Sequence, residues 1–131
     1  NAKFILAGRN VNNSMVNFVK NKIFSEIRKK KINRILIAGI SFKKNVSDIR
    51  NSLSIQVYNE LKKNKSLKIH AVDPLAIPNK KIKPIKLSKI KIKNYDLIVY
   101  LVDHNVLNKF FSRLLKKNSN KLLDIFNFLK L

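Results

Sequence analysis

Two patterns of hydrophobic and polar residues alternate along this chain. An apolar residue at every third or fourth position, as at Met15, Val19, Ile23 and Ile27, predicts an amphipathic helix. Short, nearly continuous apolar runs predict strands that are covered on both faces. The patterns predict helices over residues 11–31, 52–63 and 106–116, and strands over residues 34–40, 68–72, 96–102 and 121–125.

The order of these elements predicts the fold class. Strands that alternate with helices favour parallel pairing through right-handed crossovers. We therefore expect an α/β fold: a Rossmann-like three-layer domain with a mostly parallel sheet, preceded by a long N-terminal helix. Residues 75–94 contain two prolines and many lysines, and predict a loop with a short strand near residues 84–87.

Length and composition limit the function classes. With 131 residues, 45% of them hydrophobic, the chain can bury a core as one domain. No apolar run reaches the ~18 residues that a membrane span requires, so we expect no membrane partner. The absence of Cys excludes disulfides, thiolate metal sites and a Cys nucleophile, and is compatible with a cytoplasmic location. With only two His residues, we also expect no metal site.

The charge is strongly positive, with 29 Lys and Arg against 7 Asp and Glu and a formal net charge of +22. Such a balance suggests a nucleic-acid-binding α/β module. Arg, which reads base edges through forked hydrogen bonds, supplies only five of the 29 cations, however. The lysines are spread through every segment. We therefore expect solvated basic faces and no specific nucleic-acid partner, with a polyanion-binding surface as the alternative.

The carboxyl ends of parallel strands are where open α/β sheets bind ligands. Three loops qualify, and the first, residues 41–50, is the most informative. Lys43, Lys44 and Arg50 precede a predicted helix there, and cations beside a helix N-terminus favour phosphate groups. The alternative is that Asp48 or Asn51 caps the helix and the lysines are merely solvated.

The other two loops contain single candidate residues. Asp73 lies before Pro74 at a strand end, where a carboxylate can accept a hydrogen bond from a ribose hydroxyl or can simply form an Asp-Pro turn. His104 follows the strand over residues 96–102. A structural or substrate-lining role for His104 is favoured over general-base catalysis, because no second acid–base partner is evident.

Four segments together resemble a known family. AGRNVNNSM, ILIAGISFKKNVSDIRNS, HAVDPLA and DLIVYLVDHNVL occur in this order, and FKxxxxDxR is the most specific stretch. They resemble the C-terminal domain of the UDP-glucose/GDP-mannose dehydrogenase family, most closely the UDP-N-acetyl-hexosamine 6-dehydrogenases of the Vi-polysaccharide type. The resemblance extends from Phe4 to about Leu129.

This resemblance implies a function and a domain organisation. Family members oxidise the sugar C6 alcohol to a carboxylate with NAD, for surface polysaccharide biosynthesis. They use an N-terminal NAD domain, a catalytic Cys and a central helix that forms a homodimer. Residues 1–31 would be the end of that helix region, and residues 32–131 the C-terminal UDP-sugar-binding domain. Since this chain contains neither the Cys nor a GxGxxG motif, we expect it to be inactive alone; a degenerate regulatory domain is an alternative.

The resemblance also implies residue roles. Phe42 and Lys43 match a pair that contacts the nucleotide-sugar, and Arg50 matches an Arg that reaches NAD. Arg9 matches an Arg near the dimer interface that touches the sugar end of the substrate. His104 matches a substrate-binding His of the acetyl-hexosamine subgroup, although Leu107 replaces an aromatic residue there. No catalytic residue is expected in this chain.

The long first helix is implied to contribute to the dimer. Val16, Phe18 and Val19 are expected to form an apolar stripe that packs across a two-fold interface.

Overall fold

The computed structural model describes the backbone of residues 2–130 and the side chains of residues 13–130. The chain forms three α-helices, α1 (Ala2–Lys29), α2 (Leu53–Lys62) and α3 (Asn105–Lys116). It forms four strands, β1 (Arg34–Ala38), β2 (Lys68–Val72), β3 (Leu97–Tyr100) and β4 (Leu122–Leu123). Short 3-10 turns cover Leu87–Lys89, Ile92–Asn94 and Ser119–Lys121.

The strands form one sheet in the order β2-β1-β3-β4, and every neighbouring pair is parallel. The predicted α/β class is therefore confirmed. The strand order reverses between β1 and β3, because the chain leaves β1 toward β2 and leaves β3 toward β4. Such a reversal opens a crevice at the carboxyl ends of the two central strands.

Side chains of β1 alternate between two cores. Ile35 and Ile37 join a core with residues of α1 and α2, whereas Leu36 and Ala38 join a second core with residues of α3. The sheet is therefore the middle of three layers. The helix residues that complete the cores are Val16, Val19, Ile23, Val57 and Leu61 on one face, and Leu107, Phe111 and Leu115 on the other.

Several predicted boundaries differ from the structure. α1 begins nine residues before the expected start at residue 11, because the preceding residues continue the helix. α2 is capped by Ser52, whose hydroxyl accepts a hydrogen bond from the Ile55 N–H at 3.3 Å, and not by Asp48 or Asn51. The strand expected over residues 84–87 is absent from the described chain. Pro84 has no N–H to donate to a strand neighbour, and this segment makes one ladder-like bond, from Ile85 N to Ala71 O.

The expected dimer stripe on α1 is wrong in part. Val16 and Val19 are 7% and 0% exposed and pack within this chain, so neither is available for an interface. Phe18 is exposed, and the Lys22 ammonium lies 5.6 Å from the centre of its ring.

Because α1 shares a core with the sheet, the proposed division at residue 31 does not separate two cores. Among the described helices, none is long and apolar enough to cross a membrane.

Gly39 allows β1 and β3 to approach each other at the crevice. Its φ of +93° lies in a region that side chains disfavour. A Cβ atom at this position would lie 2.5 Å from Val102 Cβ and 2.8 Å from the Val102 backbone nitrogen. The backbone of β1 therefore turns directly against the segment after β3, with no space for a larger residue.

The buried Asp73 carboxylate connects the ends of β1 and β2. Its Oδ2 accepts hydrogen bonds from the Ile40 and Ser41 N–H groups at 2.8 and 2.9 Å. Its Oδ1 accepts from the N–H groups of Leu75 and Ala76, both at 3.0 Å. Burial raises the pKa of Asp73, but hydrogen bonds from His104 and the Ile40 amide outweigh burial, and the pKa falls to about 2.

We expect Gly39→Ala to destabilise the chain by about 2–4 kcal/mol, through the clash with Val102 and the disfavoured φ. Denaturant unfolding followed by circular dichroism measures this change. Asn51→Gly is the control, because Asn51 also has a positive φ (59°) but lies exposed, and Gly is suited to that conformation. Equal stabilities of Gly39→Ala and the parent chain would contradict the proposed close approach.

The lowered pKa of Asp73 predicts acid sensitivity. Its carboxylate stabilises the fold above its unfolded pKa of 3.8, and this contribution is lost as the pH falls toward about 2. The shift corresponds to roughly 2 kcal/mol. Asp73→Asn should therefore be less stable than the parent at about pH 7, and the difference should shrink near pH 2.

Urea unfolding at both pH values tests this prediction. Glu60→Gln is the control, because Glu60 forms a surface ion pair with Lys63 and should contribute far less. A stability difference between Asp73→Asn and the parent that does not change with pH would refute the assignment.

Candidate functional site

The loop after β1 carries the predicted phosphate-binding residues. It is closed by a hydrogen bond from the Phe42 N–H to the Asp48 carbonyl at 2.7 Å. Asn45, near its middle, adopts a left-handed backbone conformation with φ of 59°, which Asn tolerates better than most residues. The Phe42 side chain is 53% exposed, and Lys43 and Lys44 are exposed beside it.

These residues line a pocket of about 450 Å³ at the carboxyl ends of β1 and β3. The volume falls within the range that is usual for small-molecule sites. One wall is aromatic, formed by Phe42, Phe126 and Phe128, and the cationic side is formed by Lys43 and Lys44. The pocket therefore lies in the crevice where the strand order reverses, and it combines flat apolar rings with positive charge.

The turn after β4 positions two of the aromatic rings. The Asp124 carboxylate accepts hydrogen bonds from the Phe128 and Leu129 N–H groups at 2.9 and 2.8 Å. Asn127 has a φ of 57°, and the rings of Phe126 and Phe128 lie 5.4 Å apart. Sequence reasoning missed this wall, and the available signal was a pair of Phe residues directly after the last predicted strand.

The two lysines of the pocket differ in their charge partners. The Lys44 ammonium lies 3.8 Å from Asp103 Oδ2, and Asp103 also accepts a hydrogen bond from the Asn108 amide. Lys43 forms no ion pair with any carboxylate of residues 13–130. Lys43 is therefore the cation of this pocket that is free to pair with an incoming anion.

Arg50 faces a different groove. Its Nε and Nη2 atoms donate to the Asp48 carboxylate, with the shortest contact 2.8 Å from Nη2 to Oδ2. The hydrogen bonds from Arg50 lower the pKa of Asp48 to about 2. The groove is bounded on its far side by the segment containing Ile77 and Pro78. The structure thus separates Arg50 from the pocket that contains Lys43.

His104 lies beneath the loop, with no exposed surface. Its Nε2 is 2.9 Å from Asp73 Oδ2 and 3.1 Å from Ser41 Oγ, and the Ser41 hydroxyl also donates to Asp73 at 2.9 Å. On its other side, Nδ1 accepts a hydrogen bond from the Asn45 N–H at 2.8 Å. Both ring nitrogens are therefore engaged within the chain, which favours the structural role over direct substrate contact.

The remaining sequence candidates have these positions. Asp73 uses both carboxylate oxygens internally, so the Asp-Pro turn is the role that the structure supports. The side chain of Arg9 lies outside the described residues. Among the described residues, no three potential His, Cys, Asp or Glu ligands come together as a metal site.

Curated proteins with similar sequences are sugar-nucleotide dehydrogenases. The chain is 37% identical over 109 residues to the UDP-N-acetyl-D-glucosamine 6-dehydrogenase of Salmonella typhi, which covers 78% of this chain and 25% of that protein. It is 34% identical over 129 residues to the UDP-N-acetyl-D-mannosamine dehydrogenase of Methanococcus vannielii, covering 94% and 30%. The chain therefore spans about a quarter to a third of the length of these relatives.

A solved structure shows the same fold. All of this chain superposes on 31% of the UDP-N-acetyl-mannosamine dehydrogenase Cap5O from Staphylococcus aureus, with a TM-score of 0.74 and 26% sequence identity. The likeness includes α1 as well as the sheet, since the whole chain is covered.

A family model matches most of the chain. The match covers residues 36–131, which include the last three residues of β1 and the pocket loop, and it describes the UDP binding domain of the family. The dehydrogenase relatives agree with this match, as does the resemblance carried by the FKxxxxDxR stretch. The chain therefore belongs to the UDP-glucose/GDP-mannose dehydrogenase family, and residues 36–131 are its UDP binding domain.

Proposed function

We propose that the pocket at the ends of β1 and β3 binds the UDP part of a UDP-N-acetylhexosamine. We further propose that this chain acts within a longer NAD-dependent dehydrogenase, which oxidises the sugar C6 alcohol to a carboxylate. The observation that supports the pocket most directly is the exposed, unpaired Lys43 beside an aromatic wall. That combination suits a ligand with a planar base at one end and a diphosphate at the other.

The two halves of the pocket match the two halves of UDP. The exposed face of Phe42 and the rings of Phe126 and Phe128 offer flat surfaces on which a uracil ring can stack. Lys43 offers an unpaired ammonium group to the diphosphate, and Lys44, whose ammonium lies 3.8 Å from Asp103, adds positive charge beside it. The first residue of α2, Leu53, also lines the pocket, so the positive end of that helix dipole lies beside the same space.

Arg50 is proposed to contact NAD that is held by another domain. Asp48 holds its Nε and Nη2 atoms, so the guanidinium is fixed while Nη1 lies outside this ion pair. The Arg50 side chain is 86% exposed and lines a groove different from the pocket that contains Lys43. A guanidinium oriented in this way can reach an anionic group on a neighbouring domain without competing for UDP.

Other parts of the proposal concern the whole protein. Its relatives are dehydrogenases of UDP-N-acetylglucosamine and UDP-N-acetylmannosamine, so the sugar is proposed to be an N-acetylhexosamine. A homodimer, an Arg9 contact with the sugar end, a cytoplasmic location and a product destined for surface polysaccharide are proposed with it. Since the chain lacks a Cys nucleophile, oxidation would depend on residues outside this chain.

Titration calorimetry of this chain with UDP, at about 150 mM salt, tests the pocket assignment. Lys43→Ala should weaken binding by about tenfold or more, because it removes a charge-assisted contact with the diphosphate. Lys80→Ala is the matched control, since it removes the same charge from an exposed position outside the pocket.

A DNA duplex at the same salt concentration is the competing ligand. Equal UDP affinity of Lys43→Ala and the parent would refute the assignment of the pocket. Tight duplex binding without UDP binding would instead favour a nucleic-acid-binding module.

A further inference from the structure

We propose that His104 is a positioning residue for nucleotide binding, and that it acts by holding the loop of Phe42 and Lys43 through its Nδ1 atom. The inference rests on the proposed function, because it concerns the same pocket. It assigns His104 a task that differs from contact with the substrate. Three observations support it: the anchoring of the ring, the bond to the loop, and the conformation that this bond maintains.

The ring is anchored on its Nε2 side. Asp73 Oδ2 and Ser41 Oγ, at the ends of β2 and β1, lie 2.9 and 3.1 Å from Nε2. Asp73 itself is fixed by four backbone N–H groups. The imidazole is fully buried and therefore cannot move without breaking contacts to the ends of two strands.

The loop is attached on the Nδ1 side. Because Nδ1 accepts the Asn45 N–H, its lone pair is used, and the ring proton belongs on Nε2, where it can point toward Asp73. Asn45 Oδ1 in turn accepts a hydrogen bond from the Asn105 N–H at 3.0 Å. We refer to these two bonds, Asn45 N–H to His104 and Asn105 N–H to Asn45, as the clasp.

The clasp also supplies the missing cap of α3. His104 occupies the N-cap position of this helix, but its side chain makes no capping bond. Asn45 satisfies the first N–H of the helix instead, from a different part of the chain. The loop and α3 are thus joined reciprocally, and each needs the other to satisfy its backbone groups.

The clasp constrains the residues that face the ligand. Lys43 and Lys44 lie between Phe42, whose N–H is bonded to the Asp48 carbonyl, and Asn45, whose N–H is bonded to His104. Both ends of this short segment are therefore fixed. Asn45 keeps a positive φ, a conformation that has an energetic cost outside a supporting structure. Without the Nδ1 acceptor, the segment would have to be ordered when UDP binds, and this cost would lower the affinity.

Two substitutions of His104 separate the functions of its ring nitrogens. Asn can place its Oδ1 near the position of Nδ1 and so keep an acceptor for the Asn45 N–H. Gln can place its amide N–H near Nε2 and so keep a donor to Asp73 while losing that acceptor. We expect His104→Gln to weaken UDP binding by about tenfold, and His104→Asn to stay within about threefold of the parent.

Amide hydrogen exchange of Asn45, measured without ligand, supplies a readout of the clasp that does not depend on UDP. Exchange should accelerate in His104→Gln and remain slow in His104→Asn. A purely structural role for His104 predicts that affinity follows global stability in both variants. Equal UDP affinities of the two variants, or a reversed order, would overturn the proposal.

Two further measurements decide the matter if neither variant folds. Nitrogen NMR of the parent imidazole should show an unprotonated Nδ1, and a proton on Nδ1 would overturn the assignment. Asn45→Ala changes an exposed loop residue, removes the α3 half of the clasp and disfavours the positive φ.

Asn45→Ala should also weaken UDP binding by about tenfold, and unchanged affinity would overturn the proposal. If the parent chain binds no UDP while its Asn45 amide is protected, it is the proposed function that fails and not the clasp.

Discussion

The buried carboxylate of Asp73 is the interaction on which the rest of the binding edge depends. A parallel sheet leaves backbone N–H groups at the carboxyl ends of its strands, where the chain turns away and the ladder stops. Asp73 accepts from several of these groups at once, from both its own turn and the end of β1. A buried charge is tolerated there because every lone-pair direction that faces the protein has a donor.

The edge is organised in two levels. The lower level consists of the buried groups Asp73, Ser41 and His104, whose hydrogen bonds connect the ends of β1, β2 and β3. Above them are exposed groups such as Phe42 and Lys43, which have few partners in the chain. A rigid buried layer beneath them lets the exposed side chains meet a ligand in a defined arrangement.

The local pattern of hydrophobic residues predicts much of the fold, but it predicts less of the binding site. β1 and β3 are apolar on both faces, so their strand assignment and central position could be predicted from residues such as Ile35 and Val99. The position of Lys43 in a loop at a strand end could be predicted from topology, whereas Phe42 was implied only by the family resemblance. The clasp could not be predicted, because it depends on Asn45 meeting a helix start 60 residues away. The inward orientation of Val19 was missed for a related reason, because an apolar stripe on a helix does not show whether the same chain or a partner subunit covers it.

Every acidic residue of the described chain has a partner within the chain, and this affects how an anionic ligand approaches the protein. Each one is engaged by a cation or by backbone N–H groups, and their full set is Glu26, Asp48, Glu60, Asp73, Asp96, Asp103 and Asp124. The excess of lysines is consequently not opposed by free carboxylates on the surface. The net charge of +22 therefore attracts an anionic nucleotide at long range, and salt should slow its association by screening that attraction.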